Sequence, residues 1–288
     1  MIPENAEYNY NRGRALLALE NYQGAIDEFN SAIQHNPEFS DAYYWRGVTK
    51  FENGDYEGAI NDYTKTIELI PDDIGAYLSR GNAKIELEKY NEAINDFTKA
   101  LERKPYDANT YFVRGYAQYS LGNYNEAIKD FTEAIEYKTI DYAEAYYNRA
   151  LSWVAINHYL NAISDYTNAI KINTEFTLAY FNRANVRRRM NQNKNAIEDY
   201  TKVINLDPKF VEAYYYRGYS KYHIKEYKSA VDDFSETIKL NPKYTDAYIM
   251  RSITLLIIGY KAEARTNIRI AQKQGYQVPK GLLNILFE

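Results

Sequence analysis

The stretch Asp41-Ala-Tyr-Tyr-Trp-Arg-Gly-Val-Thr-Lys-Phe-Glu52, followed by Asn53-Gly54-Asp55 and by Tyr56-Glu-Gly-Ala-Ile-Asn-Asp-Tyr-Thr-Lys-Thr-Ile-Glu-Leu69, decides the fold. In its first half Tyr43 and Gly47 stand four apart, with Tyr44, Val48 and Phe51 on an adjacent stripe, which is the spacing of a helix face. Gly54 readily takes the left-handed conformation that closes a helix, and Asp55 can cap the next one. In the second half Tyr56, Ala59, Ile60, Tyr63 and Ile67 share a face, and Pro71 ends the segment. Two helices and a tight turn make one unit. Working outward, Arg12-Gly13, Arg46-Gly47, Arg80-Gly81, Arg114-Gly115, Arg149-Ala150, Arg183-Ala184, Arg217-Gly218 and Arg251-Ser252 recur at steps of 34, 34, 34, 35, 34, 34 and 34. A period of this length belongs to two-helix units that stack because none buries its apolar face alone.

The packing columns recur with the unit. Ala25, Ala59, Ala93, Ala127, Ala162, Ala196, Ala230 and Ala264 form an unbroken small column, and the position after each arginine holds only Gly, Ala or Ser. Phe29, Tyr63, Phe97, Phe131, Tyr166, Tyr200 and Phe234 fill the space these small residues open. Of the 32 tyrosines, core packing is expected to take a turn column (Tyr22, Tyr56, Tyr90, Tyr124, Tyr159, Tyr227) and a first-helix column (Tyr43, Tyr77, Tyr111, Tyr146, Tyr180, Tyr214, Tyr248), besides Tyr63, Tyr166 and Tyr200. Pro37, Pro71, Pro105, Pro208 and Pro242 close the second helix in five units.

This pattern resembles the tetratricopeptide repeat, in the Tyr-rich Arg-Gly variant common in bacterial proteins. The resemblance implies an all-α, right-handed superhelical solenoid of eight two-helix repeats and a C-terminal capping helix. A single array is expected over 1–288, with units at about 6–39, 40–73, 74–107, 108–142, 143–176, 177–210, 211–244 and 245–278 and a cap at 279–288. Departures are the one-residue insertion at Thr139-Ile-Asp-Tyr142, expected to change the local angle between units, Asn191 and Asn193 in place of the sixth turn's Gly and Tyr, and Ser252, Lys261 and Tyr276 in the eighth unit.

The resemblance also implies that the first helix of each unit lines a concave groove. Tyr10, Tyr44, Tyr116, Tyr119, Tyr147, Tyr215, Tyr216, Tyr219 and Tyr222 then map to that surface as exposed rings, with Phe112 and Phe181 among them. Asn148, Asn182 and Asn185 resemble a short piece of the asparagine ladder with which some family members hold peptide backbone. Arg187-Arg188-Arg189 reads either as ordinary cations favoured at a helix C-terminus or as a site in which Arg188 and Arg189, beside Lys221, His223 and Asn185, bind a carboxylate or acidic peptide. The chaperone-tail clamp of other members needs Lys and Arg flanking such asparagines, and here the Lys place is aromatic or aliphatic.

Composition points away from chemistry. The chain of 288 residues carries a net charge of -4 and no cysteine, so it offers no global basic field for nucleic acid, no thiolate and no zinc-thiolate site. His35, His158 and His223 are too scattered for a metal set, and neither a phosphate-cradling Gly-rich loop nor a nucleophile elbow occurs. No enzyme activity, metal or cofactor is expected. No stretch approaches a membrane span, and the first residues lack a signal-peptide pattern, so the expectation is cytoplasmic, with periplasmic or secreted placement left open by removal of a leader.

The expected function is a protein–protein interaction scaffold that binds a peptide or protein segment in the groove, the partner being acidic or presenting a C-terminal carboxylate. The alternatives are self-assembly, including a homodimer, through an apolar C-terminal end, and an accessory subunit of an enzyme or nucleic-acid machine. Two structural expectations go with this reading. Each first-helix arginine after Arg12 pairs with the acid of the preceding unit, as Arg46 with Glu28 and Arg251 with Asp233, and a helix from about Lys280 to Phe287 packs on the second helix of unit eight, burying most of Leu282, Leu283, Ile285, Leu286 and Phe287.

Overall fold

The computed structural model describes residues 5–137 and 142–287. The chain divides into two compact units, Met1–Asp141 and Tyr142–Glu288. The first contains α1 (Ala6–Ala18), α2 (Tyr22–His35), α3 (Ser40–Glu52), α4 (Tyr56–Leu69), α5 (Ile74–Glu86), α6 (Tyr90–Arg103), α7 (Ala108–Ser120) and α8 (Tyr124–Glu136). The second contains α9 (Ala143–Ala155), α10 (Tyr159–Ile172), α11 (Thr177–Arg189), α12 (Asn193–Leu206), α13 (Val211–His223), α14 (Tyr227–Leu240), α15 (Thr245–Ile257), α16 (Lys261–Lys273) and α17 (Lys280–Phe287). No strand occurs among the described residues. Within each unit an odd-numbered helix packs on the even-numbered helix that follows it, and that helix packs on the next odd one. Of the insertion at Thr139-Ile-Asp-Tyr142, Thr139, Ile140 and Asp141 lie outside the described residues, so the expected change of angle falls there.

Every turn between paired helices passes through one left-handed residue at the same place in the repeat: Glu20, Gly54, Glu88, Gly122, Asn157, Asn191, Lys225 and Gly259. Glycine meets this requirement at no steric cost, and the side chains of Glu20, Glu88 and Lys225 are tolerated there at about 1 kcal/mol each. The turn geometry is thus set by the length of the unit and its packing, with the residue type following where it can. Side-chain caps reinforce several starts. Asn21 accepts from the Gly24 N–H, Asp55 from Gly58, Asp73 from Ala76 and Asp107 from Thr110.

The small columns are close-approach sites. All eight alanines of the expected column are buried. A Cβ at Gly81 would lie 2.5 Å from the Phe97 ring and one at Gly47 2.8 Å from the Tyr63 ring, whereas at Gly115 and Gly218 the nearest ring atom is 3.0 Å away. In the last unit buried Ile268 takes the aromatic position, which leaves room for Ser252, whose hydroxyl donates to the Ala264 carbonyl at 2.8 Å. Of the tyrosines assigned to the core, Tyr63, Tyr166 and Tyr200 are fully buried. The turn column is half-buried, and so is the first-helix column apart from buried Tyr248. That second column clads cations instead of filling the core: Arg46, Arg80, Arg114, Arg149, Arg183, Arg217 and Arg251 each lie 5.3–5.7 Å from the ring three residues earlier.

The arginine register differs from the one expected. Arg46 pairs with Asp62, Arg80 with Asp96, Arg114 with Asp130, Arg149 with Asp165, Arg183 with Asp199 and Arg217 with Asp233, all within their own units. The acid sits sixteen residues on, where the antiparallel partner helix returns past the arginine. The preceding unit is reached by the remaining nitrogen: Nη1 of Arg80, Arg114, Arg183 and Arg217 donates to Thr64, Thr98, Thr167 and Thr201. Those hydroxyls donate in turn to a carbonyl of their own helix, as Thr64 does to Ile60 at 2.7 Å. One guanidinium therefore ties two consecutive repeats. Lys50, Lys84, Arg187 and Lys221, one helical turn further on, bind the second oxygen of the same aspartates at 2.8–2.9 Å.

The last helix forms over Lys280–Phe287 and packs on α16. Leu286 is fully buried against Leu255, Ala264 and Ile268, with Leu282 and Leu283 half-buried, and Arg265 donates through Nε to the Leu286 carbonyl. The expectation of general burial fails for Ile285, 60% exposed, and Phe287, 41% exposed, because an eight-residue helix resting on one surface turns its other face to solvent.

Candidate binding groove

In the second unit the candidate surface is carried by the first helices of the pairs, α9, α11, α13 and α15. Tyr147, Phe181 and Tyr215 occupy one register on successive first helices, and each is wedged between two other rings. Tyr147 lies 5.8 Å from Tyr166 and 4.8 Å from Phe176, Phe181 lies 5.9 Å from Tyr200 and 4.7 Å from Phe210, and Tyr215 lies 5.9 Å from Phe234 and 4.9 Å from Tyr244. The first unit repeats the arrangement: Tyr10 sits between Phe29 and Phe39, Tyr44 against Tyr63, and Phe112 against Phe131. The expected exposed face is accordingly corrected. Tyr10, Tyr44, Tyr119, Tyr147, Tyr215, Tyr216, Tyr219 and Tyr222 are half-buried, and Tyr116, at 41%, is the exposed one. The outer wedge comes from the aromatic residue just before the next first helix. Its recurrence at Phe39, Phe176, Phe210 and Tyr244 is legible in the sequence, outside the packing columns named above.

The polar residues are bonded across and along the helices. Asn182 Nδ2 donates to the Tyr147 hydroxyl at 2.9 Å, linking α11 to α9, and the Tyr200 hydroxyl donates to Asn185 Oδ1 at 2.8 Å. Asn148 Nδ2 is spent on the Glu144 carbonyl of its own helix at 2.8 Å. Burial pushes the Tyr200 phenol well up, while neighbouring Arg188 pulls it part of the way back. Burial likewise raises the Tyr215 phenol, and Asp246 adds to the effect.

The three consecutive arginines separate into three roles. Arg187 binds Asp199 at 2.8 Å, in the structural ladder. Arg189 is exposed. Arg188 lies over the Tyr216 ring at 4.7 Å and the Tyr219 ring at 5.5 Å, with its Nε closed off from solvent and its guanidinium beside the Tyr200 hydroxyl. Lys221, expected beside Arg188, is instead held by Asp233, so it does not join the arginine. His223 packs on Tyr219 at 4.6 Å and Tyr222 at 5.5 Å. Arg188, Asn182, Asn185 and Tyr216 line a cavity of about 180 Å³ whose apolar wall includes Leu151 and Val154.

Charge divides with the units. Residues 1–141 hold 14 Lys and Arg against 25 Asp and Glu, and residues 142–288 hold 21 against 14. Net charges of -11 and +7 are hidden in the total of -4, so the groove of the second unit lies in a positive domain that whole-chain composition does not reveal. No group of His, Cys, Asp or Glu able to hold a metal occurs among the described residues, and none of their helices is long and apolar enough to cross a membrane.

Comparison with known proteins agrees with this architecture. Models of the tetratricopeptide repeat match residues 10–74, 81–122, 108–138, 184–225 and 212–244. The crystal structure of MamA protein shares 26% identity at a TM-score of 0.57, covering 62% of this chain and 96% of that one. The C-terminal part of a TPR repeat-containing protein from Cytophaga hutchinsonii aligns at 19% identity and a TM-score of 0.73, covering 83% of this chain and 97% of that one. A tetratricopeptide repeat protein from Parabacteroides merdae aligns at 20% and 0.62, covering 87% and 98%. Comparison with curated protein sequences gives no match. With the period, the paired helices and the family models in agreement along most of its length, the chain belongs to the tetratricopeptide-repeat family.

Proposed function

We propose that this protein is a protein–protein interaction scaffold whose second unit takes up an extended, acidic segment of a partner protein along α9, α11, α13 and α15. The observation that carries this reading is a row of rigid, pre-packed aromatic edges at Tyr147, Phe181 and Tyr215 beside the half-buried guanidinium of Arg188, in a unit whose net charge is +7. Rings already fixed by neighbours lose little entropy on binding, and the field speeds encounter with an acidic partner. The catalytic reading has no comparable support, because the titratable groups of the groove serve packing and ion pairs.

A peptide array of acidic, neutral and basic extended segments, probed with the full chain and with Tyr219→Ala and Tyr222→Ala, tests this. Preferential capture of acidic segments, weakened in those variants while helical circular dichroism is unchanged, is the expected result. Capture independent of peptide charge and of both variants would end the groove reading. The apolar end offers less for self-assembly than its sequence implied, since Leu286 is used on the chain's own core.

A further inference from the structure

We infer that the cavity bounded by α14, α15 and α16 binds a compact monocarboxylic acid, with its carboxylate on Arg251 and a branched apolar body against Val231, Leu255 and Ile270. This site is separate from the groove and does not depend on the groove reading. At about 100° per residue, Arg251 and Leu255 lie about 200° around α15 from Ile249 and Ile253, which hold the register of Tyr215 and Tyr219.

The internal repetition of the molecule shows how the cavity arises. In earlier pairs this place holds a charged cluster: Arg80 on Asp96 with Lys84 on the second oxygen, and Arg217 on Asp233 with Lys221. In the eighth pair the arginine is kept and its surroundings are cut back. Asn267 replaces the acid, Leu255 the lysine, and Ile270 a residue that is polar in all seven earlier pairs. On the facing helix α14, Val231 stands where the six earlier second helices carry isoleucine, and Ser235 where Thr64, Thr98, Thr132, Thr167 and Thr201 stand. Each of these two changes takes a methyl group from the wall. The cavity measures about 340 Å³, room for a ligand of about ten non-hydrogen atoms at the ~30 Å³ that one water occupies.

Drift at the end of the array does not account for this pattern. Two of the five changes lie on α14, an interior helix, and drift gives no reason for Arg251 to persist without its acid. The other seven first-helix arginines each meet a carboxylate, whereas Arg251 meets none among the described residues. Its Nε and Nη2 donate to Asn267 Oδ1 at 3.1 and 2.5 Å, and its Nη1 donates to Ser235 Oγ at 3.1 Å. One N–H on each terminal nitrogen is left over, and a carboxylate accepts from both with one oxygen apiece. Arg251 is half-buried, so solvent and a small ligand still reach it. The Ser235 and Thr266 hydroxyls and the Asn267 amide are spent on carbonyls of their own helices, so recognition rests on the guanidinium. Exposed Glu263, also on the lining, disfavours a dianion. A monocarboxylate bound here replaces the missing rung of the ladder between α14, α15 and α16.

The test is a titration of the full chain with carboxyl-labelled 3-methylbutyrate, followed by its carbon resonance and by calorimetry. 3-Methylbutanamide is the neutral control, acetate lacks the branched body, and inorganic phosphate is the dianion. The expected result is saturable binding of 3-methylbutyrate at least about tenfold tighter than any of the three, with a higher melting temperature of the complex. Asn267→Asp restores the acid of the column, and the double variant Val231→Ile/Ser235→Thr restores its bulk. Each introduces only side chains that earlier pairs carry at the same places, so helical circular dichroism should be unchanged while 3-methylbutyrate weakens about tenfold or more. No saturable binding below about 10 mM overturns the inference. So does equal affinity for the amide or acetate, a preference for phosphate, or undiminished affinity in either variant.

Discussion

Asp233→Asn should destabilise the second unit by about 3 kcal/mol, although it changes one atom. Asp233 is 3% exposed and accepts from Arg217 Nε at 3.0 Å, from Arg217 Nη2 at 2.6 Å and from Lys221 at 2.8 Å. Breaking a buried pair from one side costs roughly 3–5 kcal/mol, because the partner charge stays desolvated. The lower end applies here, since asparagine keeps one acceptor for arginine and both cations retain some solvent. The protein contains the comparison. In the eighth helix pair Asn267 Oδ1 accepts from Nε of Arg251 at 3.1 Å, and burial without a carboxylate leaves that guanidinium lowered from its ordinary value. There the position of Lys221 is occupied by Leu255, so no second cation is stranded. The double variant Asp233→Asn/Lys221→Leu should therefore recover at least about 1 kcal/mol of the loss. Urea unfolding followed by circular dichroism at several wavelengths measures this, with attention to uncoupled unfolding of the two units. A loss below about 0.5 kcal/mol for the single variant, or a further loss in the double, would refute the reasoning about the stranded lysine.

Gly81→Ala should cost about 1–3 kcal/mol by overpacking against Phe97, whereas Gly218→Ala, with 3.0 Å to Phe234, should be near neutral because helix propensity offsets the contact; thermal melts rank the two. Glu88→Gly and Lys225→Gly, at left-handed positions, should each stabilise by about 0.5–1 kcal/mol, and a lower midpoint in urea would contradict the turn argument. Leu286→Ala should lose about 2–5 kcal/mol from the C-terminal end and Ile285→Ala almost nothing, read by hydrogen exchange in α16 and α17. Burial raises the Tyr63 and Tyr200 phenols above their ordinary value near 10, so the stability they confer is complete below pH 10 and falls as pH rises beyond it. Phenolate absorbance at 295 nm should then rise for these rings together with loss of helix, and ionisation while the helices persist would count against their burial.

The 34-residue spacing of Arg46, Arg80 and their counterparts, with the alanine and aromatic columns, was enough to give paired helices, their turns and the family, because each unit meets its neighbours through the same short-range contacts every time. The C-terminal helix was readable from Lys280 to Phe287 for the same reason: a run of apolar residues at helical spacing must find a surface. Counting acids and arginines could not fix the register of the ladder. Arg46 has Glu28 on one side of it in sequence and Asp62 on the other, and only the return of the antiparallel helix past it selects Asp62 and leaves Asn30 to the remaining nitrogen. Nor could side-chain type distinguish an exposed tyrosine from one held between two rings: Tyr147 lies between Tyr166 and Phe176, whereas Tyr116 is exposed. Arg187, Arg188 and Arg189 make the point most sharply. Sequence determined that three cations end α11, and tertiary structure alone decided that one meets Asp199, one meets water, and one lies over the Tyr216 and Tyr219 rings. The helical rotation of about 100° per residue sends neighbours in sequence to three different environments.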